Sequence, residues 1–290
     1  MSSFTTPRQQ RWPRWLASNR GEQAGFSLIE IAVVLVIVTI LLTTLAVPLA
    51  SQVQARRTED TRKLLEEAKE ALLGFAMANG RFPCPAFANA TSNSAGRESF
   101  CVAATGTCVG SETQTVQTHG NCSNFYDGFL PAATLGLSGL DDQGFARDAW
   151  GSQNSRIRYA VFGGTIVANF PFTNSATPSA MQQATISNLG ATATDYLQIC
   201  NSGTGVTATT CNGAANTLTT KAPIILYSLG ANAPTGGTGT DESKNVDGNI
   251  VFVSHTPITG GANEFDDIVT WIPVSTIINI PTATTDSTIP

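Results

Sequence analysis

The apolar positions of the chain are concentrated in one long run near the N-terminus. From residue 26 to residue 55 the only ionisable side chain is Glu30. The uncharged part of this run, residues 31–55, is long enough to cross about 30 Å of hydrocarbon as a helix. The pattern therefore predicts a single transmembrane helix that begins next to one acidic residue.

After residue 55 the pattern changes to mixed charge with a regular apolar stripe. Apolar residues recur at helical spacing, as in an amphipathic helix; they are Leu65, Ala68, Leu72, Phe75 and Ala76. Asn79 and Gly80 form a C-terminal helix signal, and Pro83 follows it. We therefore predict one helix over residues 26–79, transmembrane in its first half and amphipathic in its second.

The rest of the chain has the pattern of a head with short strands. Four runs rich in Ile, Val and Tyr predict β-strands, at residues 156–162, 223–229, 249–254 and 267–273. The segments 84–148 and 163–222 have few periodic signals and are predicted to be long loops. The predicted fold class is α+β, with an antiparallel β-sheet head packed on the long helix.

Charge divides the chain into a basic start and an acidic head. Residues 1–25 contain one acid, Glu22, and four arginines, at positions 8, 11, 14 and 20. Basic flanks stay on the cytoplasmic side, so we predict a cytoplasmic N-terminus and a head outside the membrane. Residues 80–290 contain seven Lys and Arg residues against 14 Asp and Glu residues, which disfavours direct nucleic-acid binding.

The carboxylate of Glu30 needs a partner. An unpaired carboxylate in lipid costs roughly 2.5–3.5 kcal/mol or more, so we infer that another group neutralises it. An ordinary secretory signal has small residues after its apolar core, whereas here Gly25 precedes the core. Removal of a leader at Gly25 leaves the apolar helix on the mature chain.

The segment Gly25–Glu30, Gly-Phe-Ser-Leu-Ile-Glu, follows a basic leader and precedes the apolar run. This arrangement resembles the processing site of class III signal peptides, which belong to type IV pilins and to the pseudopilins of type II secretion. The resemblance implies that a membrane prepilin peptidase cuts after Gly25 and methylates Phe26. It also implies that Glu30 pairs with the Phe26 amine of a neighbouring subunit.

The same resemblance implies the organisation and location of the chain. Residues 1–25 are then a leader, residues 26–79 the long helix, and residues 80–290 a periplasmic or extracellular head. The expected partners are other pilin or pseudopilin subunits, the prepilin peptidase and the inner-membrane assembly machinery. A precursor in the inner membrane would become a filament subunit, and the large head favours a minor one. A pilus, a type II secretion filament and a DNA-uptake filament remain alternatives.

Six cysteines in an exported domain are expected to form disulfides; they are Cys84, Cys101, Cys108, Cys122, Cys200 and Cys211. Cys200 and Cys211 enclose a Gly/Thr-rich loop and are predicted to pair with each other. The other four cysteines can pair in three ways. A zinc site that combines thiolates with His119 is the alternative, which the absence of C-x-x-C spacing disfavours.

Acidic and amide side chains cluster in two late stretches, residues 241–249 and 264–267. Oxygen side chains in a Gly-rich loop suit a hard cation such as calcium, although the spacing is not that of an EF-hand. Residues 148–159 are similar to an Asp-Pro-Trp-Gly region of pseudopilins, and residues 227–248 to the calcium loop of the major pseudopilin. This resemblance supports a calcium site at Asp241, Asp247, Asn245 and Asp266. Solvated turn residues and caps are the alternative.

Enzymatic activity has little support in the sequence. His119 and His255 lie far apart and neither is part of a catalytic motif, so we predict no catalytic residues. The alternative to a structural filament subunit is a filament-borne adhesin or ligand-binding head. Its candidate contact residues are the aromatic side chains Phe125, Tyr126 and Phe129.

Overall fold

The computed structural model describes residues 25–87, 95–106, 108, 110–164, 171–185, 188–189, 195–235, 239–261 and 263–280, without the side chains of 44–50, 153 and 234. The predicted leader therefore lies outside the described residues, except for Gly25. The chain forms two compact units, Met1–Gln52 and Val53–Pro290. The division falls inside the long helix, so residues from Val53 onward belong to the same unit as the head.

The long helix α1 covers Leu28–Asn79. It begins two residues later than predicted, since the carbonyl of Ser27 accepts the first intrahelical hydrogen bond, from the amide of Ile31. It ends at Asn79, and the next residue, Gly80, has a φ of 67° and donates its amide to the Ala76 carbonyl. Glycine is favoured there because a left-handed residue closes a helix C-terminus with little steric cost.

Short strands and short α-helices follow α1 in the described parts of the chain. The strands are β1 (Phe100–Cys101), β2 (Glu112–Thr113), β3 (Gly128–Phe129), β4 (Arg158–Val161), β5 (Leu197–Cys200), β6 (Thr217–Ala222), β7 (Ile224–Ser228), β8 (Val251–Val253) and β9 (Ile268–Ile272) in the described parts of the chain. The short helices there are α2 (Ala132–Leu135), α3 (Ala180–Gln183) and α4 (Val274–Ile278). A helix followed by antiparallel sheets confirms the predicted α+β class.

The largest sheet has four antiparallel strands in the order β3-β4-β7-β9. Three of its strands, β4, β7 and β9, lie within predicted strand segments. The buried stripe of α1, which includes Leu65, Ala68 and Leu72, belongs to the same hydrophobic core as Tyr159 and Leu226 of this sheet. The amphipathic half of α1 thus supplies one layer of the head and the sheet supplies the other.

A second sheet has the order β6-β5-β8. Two of its strands, β5 and β6, lie in residues 163–222, where the sequence predicted a long loop. That prediction was wrong, because β5 is a four-residue run, Leu-Gln-Ile-Cys, whose side chains are all buried, so it has no alternation to reveal it. The pair β5–β8 is parallel, which also departs from a purely antiparallel head.

Three disulfides stabilise the loops of the head. They join Cys84 to Cys122, Cys101 to Cys108, and Cys200 to Cys211. The structure therefore uses all six cysteines in disulfides.

A buried ion pair lies beside the first of these bridges. Arg81 donates two hydrogen bonds to Glu98, at 2.7 and 2.8 Å, and the amide of Cys84 donates to the same carboxylate. The pair fixes the chain just after the end of α1.

Candidate functional site

The first candidate site is the start of α1. Gly25 is exposed, and Phe26 and Leu28 are 80% and 89% exposed. Every described side chain from residue 26 to residue 43 is exposed, although most of them are apolar. A continuous apolar surface of this kind marks a region that contacts lipid or another protein.

Glu30 is the only ionisable side chain on this apolar surface. Its Oε2 atom accepts a hydrogen bond from the backbone amide of Ser27, at 3.3 Å. Ser27 is the N-cap of α1 and Glu30 is the third residue of the helix, so this contact is one half of a capping box. The Ser-x-x-Glu spacing is a sequence signal for that contact.

In the described parts of the chain, no helix combines the length and the apolar character that crossing a bilayer requires. The predicted transmembrane segment, residues 31–55, includes residues 44–50, whose side chains lie outside the described set. The transmembrane segment stays a prediction.

The second candidate site is a cluster of three carboxylates in the head, formed by Glu242, Asp266 and Asp267. One oxygen of each carboxylate lies within 4.8 Å of the others. Glu242 is the first residue of the 3₁₀ helix Glu242–Val246, and the two aspartates directly precede β9. Glu242 and Asp267 are buried, with 1% and 5% of their surface exposed.

Backbone and amide groups hold the three carboxylates in place. Asp266 Oδ2 accepts hydrogen bonds from the amides of Ala231 and Asn232, at 2.8 and 3.2 Å. Both oxygens of Glu242 accept from the Asn232 side chain at 2.9 Å. Asp267 Oδ2 accepts from the Asn245 side chain at 2.7 Å.

Among the described residues, three acceptor atoms around the cluster have no hydrogen-bond donor. Within the described residues, Oδ1 of Asp266, Oδ1 of Asp267 and Oδ1 of Asn232 are buried and have no partner. A buried acceptor without a donor is costly, and a buried carboxylate more so. The pKa values also show that the charged forms of these aspartates are disfavoured. Burial raises the pKa of Asp266 to about 6 and the pKa of Asp267 well above its ordinary range.

An all-oxygen set of this kind fits a hard divalent cation such as calcium. Glu242, Asp266 and Asp267 are the residues that would hold it. The positive charge of the cation would balance the negative charges of these carboxylates.

The structure distributes the predicted calcium residues differently. Asp266 belongs to the cluster, and Asn245 supports it through Asp267. Asp241 accepts hydrogen bonds from the Gly203 amide, from His255 and from the Asn263 side chain. Burial by itself raises the pKa of Asp241, but these donors outweigh it and the pKa lies below its ordinary value.

Asp247 forms an ion pair with Lys244 at 3.6 Å. Glu242 and Asp267 were not singled out by the sequence as ligands, although both lie in the acidic stretches. The Asp-Asp pair before a strand is the signal that points to Asp267.

The remaining predicted residues make packing and hydrogen-bond contacts within the head. Phe129 is buried, and Phe125 and Tyr126 are half-buried against the core. Asp148, in the Asp-Ala-Trp-Gly segment, accepts hydrogen bonds from the amides of Trp150 and Gly151. These contacts support a structural role for the segment.

The comparisons with known proteins bear on the first candidate site. No curated protein and no solved structure matches the chain. Residues 20–46 match the family described as "Prokaryotic N-terminal methylation motif". The matched segment contains Gly25, Phe26 and Glu30, together with the exposed apolar start of α1. The chain therefore carries the signature of type IV pilins and pseudopilins.

Proposed function

We propose that this protein is a structural subunit, a minor pilin or pseudopilin, of a type IV pilus-like or type II secretion filament. The observation that carries the proposal is the methylation motif at residues 20–46, at the start of an exposed apolar helix. In this proposal the peptidase removes residues 1–25 and methylates Phe26. The new amine of Phe26 then pairs with Glu30 of a neighbouring subunit.

The apolar surface and the single acid have complementary roles in assembly. When apolar helices pack against one another, each Å² of apolar surface removed from water contributes about 25 cal/mol of stabilisation. This attraction is not directional. A charge pair inside an apolar bundle does have a preferred position, because misplacement leaves a desolvated carboxylate without a partner. The helix therefore provides the adhesion between subunits and Glu30 selects their alignment.

The proposed location follows from the same residues. The precursor is held in the inner membrane with its basic N-terminus in the cytoplasm and its head in the periplasm. After processing, the subunit leaves the membrane for a periplasmic or extracellular filament. Other pilin or pseudopilin subunits, the prepilin peptidase and the assembly machinery are the proposed partners.

The test is incorporation of a Glu30→Ala variant into filaments. We expect the variant to reach the membrane fraction at normal levels and to be lost from sheared filaments. Glu67→Ala removes an exposed acid from the same helix and is the matched control, which should assemble normally. Normal incorporation of Glu30→Ala, or mature filaments that retain residues 1–25 by mass spectrometry, would overturn the proposal.

The cation site contributes to the head in this proposal and not to assembly. Calcium held by Glu242, Asp266 and Asp267 would join the 3₁₀ helix to the start of β9, two segments about twenty residues apart in sequence. An adhesive head would need side chains other than Phe125, Tyr126 and Phe129, because the first two pack on the core and Phe129 is buried.

A further inference from the structure

Glu30 already has a partner on its own chain before any assembly. The Ser27 amide that donates to Glu30 Oε2 is the amide of the peptide bond between Phe26 and Ser27. The contact therefore forms in the unprocessed chain, in which Phe26 has no free amine. It requires only the local geometry of the helix start, which the Ile31-to-Ser27 hydrogen bond establishes.

The position suits a carboxylate for a second reason. The first turn of a helix has amide groups without intrahelical acceptors and a partial positive charge. Glu30 lies in that first turn. A hydrogen bond between a charged acceptor and an amide is also stronger than one between neutral groups. The acid is thus stabilised by its own helix while its intended partner is absent.

We propose that the Ser27 amide is a holding site for Glu30, and that assembly exchanges this amide for the Phe26 amine of the neighbouring subunit. The inference rests on the proposed function, because the exchange presupposes that pairing. Ser27 is a positioning residue in this scheme and acts through its backbone, not through its hydroxyl group. The exchange breaks one hydrogen bond and forms one ion pair, with no covalent step.

The hydrogen bond between the Ser27 amide and Glu30 affects the order of insertion, processing and assembly. The precursor carries its acid in a satisfied state, so insertion does not have to wait for a partner subunit. Processing then creates an amine at Phe26, one residue from the amide that holds Glu30. Docking of a second copy competes with the intramolecular contact, so a subunit in the filament has a free Ser27 amide.

The first test measures the Ser27 amide in the full-length precursor in detergent micelles. We expect its hydrogen exchange, followed by NMR, to be about three- to tenfold faster in Glu30→Ala than in the wild type, as for loss of one hydrogen bond. Glu59→Ala, which removes an exposed acid further along α1, should leave the Ser27 rate unchanged. An unchanged Ser27 rate in Glu30→Ala would overturn the inference.

The second test uses two substitutions at one position. Ser27→Ala keeps the backbone amide, whereas Ser27→Pro removes it at the N-cap, whose amide donates no intrahelical hydrogen bond. The side-chain carboxyl ¹³C resonance of Glu30 is expected to move in Ser27→Pro and to stay unchanged in Ser27→Ala. Equal behaviour of the two variants would contradict a backbone holding site.

The third test compares precursor and filament by solid-state NMR. The contact between the Ser27 nitrogen and the Glu30 carboxyl carbon should be present in the precursor and absent from the filament. Persistence of the contact in the filament would refute the exchange. Normal assembly of Glu30→Ala would instead refute the proposed function, so the two failures are distinguishable.

Discussion

Replacement of Asp266 by Asn tests the carboxylate cluster, because it removes one charge and nearly preserves the shape of the side chain. Burial, together with the charge of Glu242 and then that of Glu264, raises the pKa of Asp266 from 3.8 to about 6 in the protein without a cation. Asp266 Oδ1 has no donor among the described residues, so an amide nitrogen there breaks no described hydrogen bond.

The sign of the effect follows from the direction of the shift. A carboxylate whose folded pKa is raised contributes stability below pH 3.8 and loses that contribution as the pH rises through 6. The difference corresponds to about 3 kcal/mol, which partial exposure to solvent reduces to about 1–2 kcal/mol. Asp266→Asn should therefore raise the free energy of unfolding by about 1–2 kcal/mol at pH 7 without calcium.

The assay is guanidinium unfolding of the full-length chain in detergent micelles, from pH 4 to pH 7.5, with a chelator or with calcium. Calcium at 100 times its Kd should stabilise the wild type by about 2.7 kcal/mol and the Asn variant by less. Asp142→Asn, at an exposed acid outside the cluster, is the control. Equal loss of stability in wild type and Asp266→Asn between pH 4 and pH 7, or an equal response to calcium, would refute the reasoning.

Three further predictions concern the compact unit Val53–Pro290. Leu72→Ala should lower the free energy of unfolding by about 2–5 kcal/mol, since Leu72 is fully buried in the core; thermal unfolding measures it. Arg81→Met should cost about 3–5 kcal/mol because it leaves Glu98 buried without its partner, and adding Glu98→Gln should recover part of that loss in denaturant titration. Replacement of Cys200 and Cys211 by Ser should cost about 2–4 kcal/mol, seen as a lower denaturation midpoint than in the wild type.

Most residues of the first candidate site lie next to one another in the sequence. The Gly-Phe-Ser-Leu-Ile-Glu string and the apolar run after it predicted the methylation motif, which the match at residues 20–46 confirms. The contact between Ser27 and Glu30 is also local, because an N-cap and the third helical residue are neighbours at the helix start. Such features depend on backbone geometry within one turn, so spacing alone reports them.

Local sequence patterns predicted some of the strands and missed others. The segments around β4, β7 and β9 were predicted because they contain runs of β-branched and aromatic residues with turn signals at their ends. Strands β5 and β6 were missed, and the parallel pairing of β5 with β8 was not predicted. Pairing between strands is a long-range choice, made when side chains of distant segments share one core.

The sequence by itself determined the long helix, its exposed apolar start and the single acid there, because each depends on residues within a few positions of one another. It also located the two acidic stretches of the head, but it did not identify which acidic side chains lie close together in the folded chain. Only the tertiary structure decided that Glu242, Asp266 and Asp267 come together, while Asp241 is taken up by His255 and Asn263. The reason is burial, since the packing of β9 and the 3₁₀ helix determines which carboxylates lose water and which keep other donors.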